Sequence, residues 1–285
     1  AAELKKDTHF TVYATPLNAG VYAIFNTATP QLKEVQVRHA LQAGTDLPGL
    51  FAKLAHKPQV MPMPILLSQV RGLDDILPPA YDAARANALL DEAGWQRGMN
   101  GIRQKGDQPL LLRVAFIKDS EYEKVANSLK QQWRQLGIDV QLRSVDTTDP
   151  TQNLASTVLQ PRDYDVLIHE LAIGADPDIY AYWHSSQAVA RGLNLSNYTD
   201  GISDDALASG RSRATRELRD AKYRTFVNQW LKQAPALGLY RSSSFYVVRK
   251  GASAVDVNAQ FVTAADRYAN VQYWTARTDT VYKTP

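Results

Sequence analysis

The residues best placed to do chemistry sit in one stretch, LAIGADPD (171–178). It follows a strand-like run, DVLIH (165–169), and precedes an aromatic helix start with Tyr180, Tyr182 and Trp183. In open α/β sheets ligands lie beyond the carboxyl ends of the strands, which is where this loop leaves its strand. Carboxylates such as Asp176 and Asp178 can accept charge-assisted hydrogen bonds from a cationic ligand group. Capping of the helix that follows is the plainer use of the same two side chains, and both readings stand. The aromatic side chains offer stiff stacking area to a ligand, or pack the helix onto its neighbours.

Other chemistries find little support. The five histidines (His9, His39, His56, His169 and His184) show no metal-ligand spacing. No Walker A run, GxGxxG, GxSxG or HExxH occurs, and abundant Ser, His and Asp do not make a triad. The chain has no cysteine, so disulfides and thiol chemistry are excluded. A net charge of +3 with no long basic run argues against a nucleic-acid surface. No apolar run approaches the ~20 residues that span a bilayer. The opening residues carry no leader pattern, as expected of a mature or a cytosolic protein. Asn194-Leu195-Ser196 and Asn197-Tyr198-Thr199 match the glycosylation pattern, a weak signal. No cofactor is expected.

The elements that must hold the loop are organised around Leu110–Leu142. Leu110, Leu112, Val114 and Phe116 share a strand face, and Leu111 and Ala115 keep the other apolar, the pattern of a sheet buried on both sides. Ser120 with Glu123 forms a capping-box pattern. Tyr122, Val125, Ala126, Leu129, Trp133 and Leu136 follow as one helical stripe. Gly137 is placed to stop the helix. Ile138, Val140 and Leu142 alternate as the next strand, giving a right-handed βαβ unit. The class is α/β.

The rest of the chain attaches to that unit. Phe10–Tyr13 and Gly20–Phe25 read as two short strands split by a turn at Pro16–Gly20. Val35–Gln42 reads as a helix. Pro48–Pro79 reads as an irregular, partly packed wrap with Met61, Ile65, Leu66 and Leu67 inward. Asp82 caps a helix with Ala86, Leu89, Leu90 and Ala93 inward. Leu154–Leu159 reads as a short helix and Arg191–Asp205 as a polar loop. A long helix spans Thr215–Ala234, with Tyr223, Phe226, Val227, Trp230 and Leu231 on one stripe. Leu237–Tyr240, Phe245–Val248 and Val271–Trp274 read as three further strands.

Five segments in order resemble the bacterial extracellular solute-binding proteins, family 5, the dipeptide/oligopeptide-type binding components of ABC importers. They are VQVRHALQAGTD (35–46), YDAARANALLDEAGW (81–95), GMNGIRQKGDQPLLL (98–112), LKQQWRQLGIDVQL (129–142) and YDVLIHELAIGADPD (164–178). The resemblance implies a periplasmic-binding-protein-like type II fold of the peptide-binding cluster, a mixed sheet flanked by helices. It implies the C-terminal lobe of a two-lobed protein. Residues 1–20 are then the end of the first lobe and its crossover strands, 21–265 the second lobe, and 266–285 a return segment. Tyr22, Phe25 and Asn26 fall at the crossing, and Arg38 resembles the family's helix arginine in a structural ion pair. The implied ligand contacts are Tyr22, Asn26, Leu171, Ile173, Gly174 and Asp176. The family's pattern puts an aspartate for a peptide's α-amino group at Ile173, which cannot bind an ammonium ion.

The function implied is capture of an extracellular solute, a peptide or other small polar molecule, between two lobes and its delivery to permease subunits. The chain is expected to be a monomeric non-enzyme, periplasmic or held at the cell surface, that needs its missing N-terminal lobe. The alternative is the solute-sensing part of a cytosolic transcription regulator, which shares the lobe architecture.

Overall fold

The computed structural model describes residues 7–54, 56–253 and 261–276. It opens with β1 (Phe10–Phe25), α1 (Val35–Ala43) and a short α2 (Leu47–Phe51). After a largely irregular run come α3 (Ala83–Glu92) and three small strands, β2 (Gln96–Arg97), β3 (Arg103–Lys105) and β4 (Gln108–Pro109). Then follow β5 (Leu111–Ile117), α4 (Ser120–Gln135), β6 (Asp139–Val145) and β7 (Val166–Ala172). The second half contains α5 (Tyr180–Trp183), α6 (Gly201–Ser212), α7 (Arg216–Gln233) and β8 (Ala236–Arg249). A minor pair, β9 (Ala252–Ser253) and β10 (Thr275–Ala276), ends the described chain.

The main sheet has the order β6-β5-β7-β1-β8. β5 runs parallel to β6 and β7, whereas β1 is antiparallel to both β7 and β8. The α/β class and the mixed sheet flanked by helices are thus as expected, with the βαβ unit at β5-α4-β6. Period-two alternation sorts the strand residues onto two faces. Val21, Ala23, Phe25, Leu112, Val114, Phe116, Val166 and Ile168 join α1, α3 and α4 in one core. Tyr22, Ile24, Ala115, Leu167 and Leu171 join α7 and its neighbours in the other. Trp133 of α4 and Trp230 of α7 are fully buried on opposite sides.

Several local expectations are corrected. Asp119, not Ser120, caps α4: its carboxylate accepts from the amides of Glu121 and Tyr122. A carboxylate suits the positive end of a helix. Gly137 does follow α4, at φ +86°. β1 is one 16-residue strand, not two. The Pro16–Gly20 stretch is a register shift within the β1–β8 ladder, the kind of irregularity where a strand tolerates proline. β8 likewise runs unbroken through Arg241–Ser244. The polar run Arg191–Asp205 contains the start of α6, which Asp200 caps by accepting from the Ser203 amide. Residues Ala155–Leu159 form one wide turn of π type. Val271–Tyr273 is a 3-10 turn, not a strand. Leu67 is exposed, unlike Met61, Ile65 and Leu66. Residues 1–6 and 277–285 of the expected first-lobe and return segments lie outside the described residues.

Arg38 makes no ion pair among the described residues. Its guanidinium donates to the carbonyls of Gln233 and Ala234, where α7 ends, and of Leu32 and Lys33. A cation at the carbonyl end of a helix meets the negative pole of its dipole. Burial still pushes the Arg38 pKa down to about 10.

The outer edge of β8 is covered by the proline-rich run. The Met61 amide donates to the Leu239 carbonyl at 3.2 Å and the Arg241 amide to the Gln59 carbonyl at 2.7 Å. Gly238 permits this approach, because a Cβ there would sit 2.0 Å from the Met61 carbonyl oxygen. Gly238→Ala should therefore force backbone to move and cost about 1–3 kcal/mol, read as a lower urea midpoint at unchanged slope.

Candidate ligand-binding site

β7 delivers the loop that the sequence singles out. Ala172 is its last residue, so Leu171 belongs to the strand and the free loop starts at Ile173. The loop is pinned to β1 by Asn18. The Asn18 carbonyl accepts from the amides of Ile173 (2.8 Å) and Gly174 (3.2 Å), and its side-chain Nδ2 donates to the Gly174 carbonyl at 3.0 Å. Gln69 Nε2 reaches the same carbonyl at 2.9 Å. Gly174 has φ +81°, a turn that glycine makes without strain. Arg241 fixes Asn18 in turn, donating from Nη2 to its Oδ1 at 3.0 Å and from Nε to the Leu17 carbonyl at 2.7 Å.

The acidic half of the loop is tied to the helices. Asp176 takes both of its hydrogen bonds from Arg219 Nη2, at 2.6 and 2.8 Å. Asp178 pairs with Arg211 at 2.7 Å and also accepts from the Tyr180 amide at 3.2 Å. The Arg211 guanidinium lies 4.4 Å from the Tyr180 ring centroid. Trp183 is buried edge-on to Trp230, at 5.6 Å, and to Tyr22, at 6.4 Å. Its role is packing.

The six sequence-predicted contacts separate by depth. Tyr22 is fully buried and its hydroxyl donates to the Met63 carbonyl at 2.8 Å. Asn26 is buried, donating to the Tyr164 carbonyl at 3.0 Å and accepting from Asn197 Nδ2 at 2.9 Å. Leu171 and Ile173 are buried in the core on the α7 side. Gly174 is half-buried, and Asp176 helps to line a cavity of about 820 Å³. Asn18, Gln69, Arg216, Arg219 and Tyr223 line that cavity too. Of these the sequence offered only Tyr223, as a core residue. Asn18 and Gln69 sit far from the loop along the chain, and no local signal marks them. A second, smaller concavity of about 260 Å³ opens on the other face of the same sheet edge. Among its lining residues are Glu170, Asp119, Glu121, Tyr240 and Ser242.

Among the described residues no group of three or more His, Asp or Glu side chains is close enough to hold a metal ion. The groups on this edge are acceptors, donors and ion pairs arranged around open concavities. The sequence matches the family described as bacterial extracellular solute-binding proteins, family 5, middle part, over residues 1–191. The chain belongs to this family.

Relatives agree with that membership. The Streptomyces lividans protein XP55 is 28% identical over 203 residues, covering 66% of this chain and 34% of the relative. Other relatives are named as nickel-, oligopeptide- and dipeptide-binding proteins of bacteria. Among solved structures, the fold matches AppA of Bacillus subtilis, bound to a nonapeptide, with a TM-score of 0.80 at 21% identity. That match covers 95% of this chain and 53% of AppA. NikZ of Campylobacter jejuni, solved with Ni(L-His), matches equally, with a TM-score of 0.80 at 20% identity, covering 96% of this chain and 55% of NikZ. The chain spans about a third of the length of XP55 and about half of the two solved proteins. Among these homologues the nickel-binding protein is named as periplasmic, and a Brucella ovis relative is named as a putative ABC transporter peptide-binding protein.

His169 lies in β7, paired in register with Tyr22. Burial pushes its pKa below the ordinary 6.5, with the Glu170 charge pulling the other way. The unfolded chain therefore takes up the proton first. Its contribution to stability is complete above pH 6.5 and is lost as pH falls from there to the depressed folded value. His169→Gln should flatten the acid-side fall of unfolding free energy by up to about 1.4 kcal/mol per pH unit in that window, measured by urea unfolding between about pH 7.5 and 5.

Proposed function

We propose that this chain is the C-terminal lobe of a two-lobed solute-binding component of an ABC importer. The observation that carries the reading is the way β1 and β8 leave the sheet together. Ala19–Phe25 pair with β7 inside the lobe, but Phe10–Pro16 pair with Ser243–Arg249 alone. The two strands thus continue as a ribbon past the end of β7, beside the candidate edge. A ribbon of one inbound and one outbound strand is what a chain needs to pass from one lobe to a second and back.

On this reading residues 1–20 close the first lobe and supply the crossing strand, 21–265 form the solute-binding lobe, and 266–285 return towards the first lobe. The solute is a peptide or another small polar molecule. Gly174 and Asp176 meet it directly, while Tyr22, Asn26, Leu171 and Ile173 form the floor that holds the rim in place. The whole protein works outside the cytoplasmic membrane as a monomer, catalyses no reaction, and passes its cargo to permease subunits after a hinged closure of the lobes.

Each wall of such a cleft contributes part of the desolvation and part of the hydrogen bonds. Titration calorimetry with a mixed peptide library should therefore show saturable binding to the whole protein. Binding to this chain alone should be at least ~100-fold weaker, a loss of about 2.7 kcal/mol. Equal affinity for the chain and the whole protein would refute the split-cleft reading.

A further inference from the structure

The smaller concavity differs from the larger one in how its charges are used. In the larger cavity Asp176 is matched by Arg219, and Asp220 lies 3.8 Å from Arg216. In the smaller one three carboxylates, Asp119, Glu121 and Glu170, face a single imidazole, His56. His56 Nδ1 is 3.4 Å from a Glu121 oxygen. The Asp119 carboxylate is held by the first amides of α4. Glu170 is exposed and, among the described residues, its side chain has no hydrogen bond and no ion pair.

Two buried polar side chains, Ser242 and Tyr240, line the same pocket. Ser242 is 6% exposed and its Oγ makes no hydrogen bond. The Tyr240 hydroxyl, on a residue 2% exposed, interacts with the Glu121 carboxylate. Burial, then the charge of Glu121, pushes the Tyr240 phenol pKa up, so it stays protonated. A buried hydroxyl without a partner carries a desolvation cost that an incoming hydrogen-bonding group recovers. The described carboxylates and histidines do not converge on a metal-sized point. Separated acceptors around a pocket of about 260 Å³ instead suit a cation with several spread N–H donors.

We infer that the pocket between the amino end of α4 and β8 is a subsite for an organic cation, an ammonium or guanidinium group carried by the solute. Glu170 supplies the free countercharge, Glu121 and Asp119 deepen the negative field, and Ser242 and Tyr240 provide neutral hydrogen-bond partners. The inference rests on the solute-binding reading above and adds the charge of one part of the cargo.

The test is NMR titration of the uniformly 15N-labelled chain with butylammonium and butylguanidinium, against uncharged N-butylacetamide. The cations should shift the backbone amides of Glu170, Glu121 and Ser242 saturably, and the neutral probe should not. Glu170→Gln should weaken the response at least several-fold while the rest of the spectrum stays that of the folded chain. Equal shifts with the neutral probe, an unchanged response in Glu170→Gln, or no shift at these amides would each overturn the cation subsite. If peptides shift Gly174, Gln69 and Asp176 while the cations leave Glu170 untouched, the solute-binding reading survives and the cation subsite does not.

Discussion

The structure depends on the antiparallel ladder between β1 and β8. It joins the start of the described chain to a strand that follows α7, with Ile24 opposite Ala236 and Phe10 opposite Arg249. Its inner half is buried on both faces, so it must be made for either core to close. β7 then pairs on the other side of β1, and the βαβ unit is added through β5. The exposed side of β8 would be a bare sheet edge, open to pairing with other chains. The run around Gln59 and Met61 covers it, and the absence of a side chain at Gly238 lets that run come close enough. A proline-rich segment suits this position, because it can satisfy a few edge groups without offering a regular new edge of its own.

What was legible in the sequence follows from where periodicity is strong. The stripes of α4 and α7, the caps at Asp82 and Gly137, and the alternation in β5 and β6 are local signals, and the structure keeps them. The signals fail where tertiary contacts override local chemistry. Pro16 reads as a turn, yet the strand passes through it because the ladder shifts register there. Leu237–Tyr240 and Phe245–Val248 read as two separate strands, yet β8 runs on through Arg241–Ser244 because its inner neighbours are clamped between β1 and the covering run. α6 buries Ser203, Ala206, Leu207 and Gly210, and one leucine among three small residues leaves no apolar stripe to find. Arg38 shows the same limit for electrostatics. A buried arginine suggests a carboxylate, but its neighbours are carbonyls that end α7, and the sequence does not say where α7 ends in space.

The candidate site was half legible for the same reason. The loop could be found, since a strand followed by glycine and paired aspartates is a local pattern. Its partners could not. Asn18, Gln69, Arg211 and Arg219 come from four separate stretches, and only the packing of α6 and α7 against β7 brings them to one rim. The same packing fixes which charges remain available. A carboxylate locked to an arginine has already exchanged its solvation for a partner, and a ligand would have to break that pair to use it.

That distinction bears on how a lobe of this kind can be selective. Asp176 and Asp178 attract the eye in the sequence, but their ion pairs make them structural first, holding the loop at a fixed height above the sheet. Glu170, one residue before Leu171, attracts no notice in the sequence because it lies inside a strand. In the structure it is the carboxylate on this edge without a partner among the described residues. Strand alternation sends Leu171 into the core on the α7 side and Glu170 to the opposite face, next to the amino end of α4. A rigid rim and an unspent charge a single residue apart are thus consequences of one strand ending where it does.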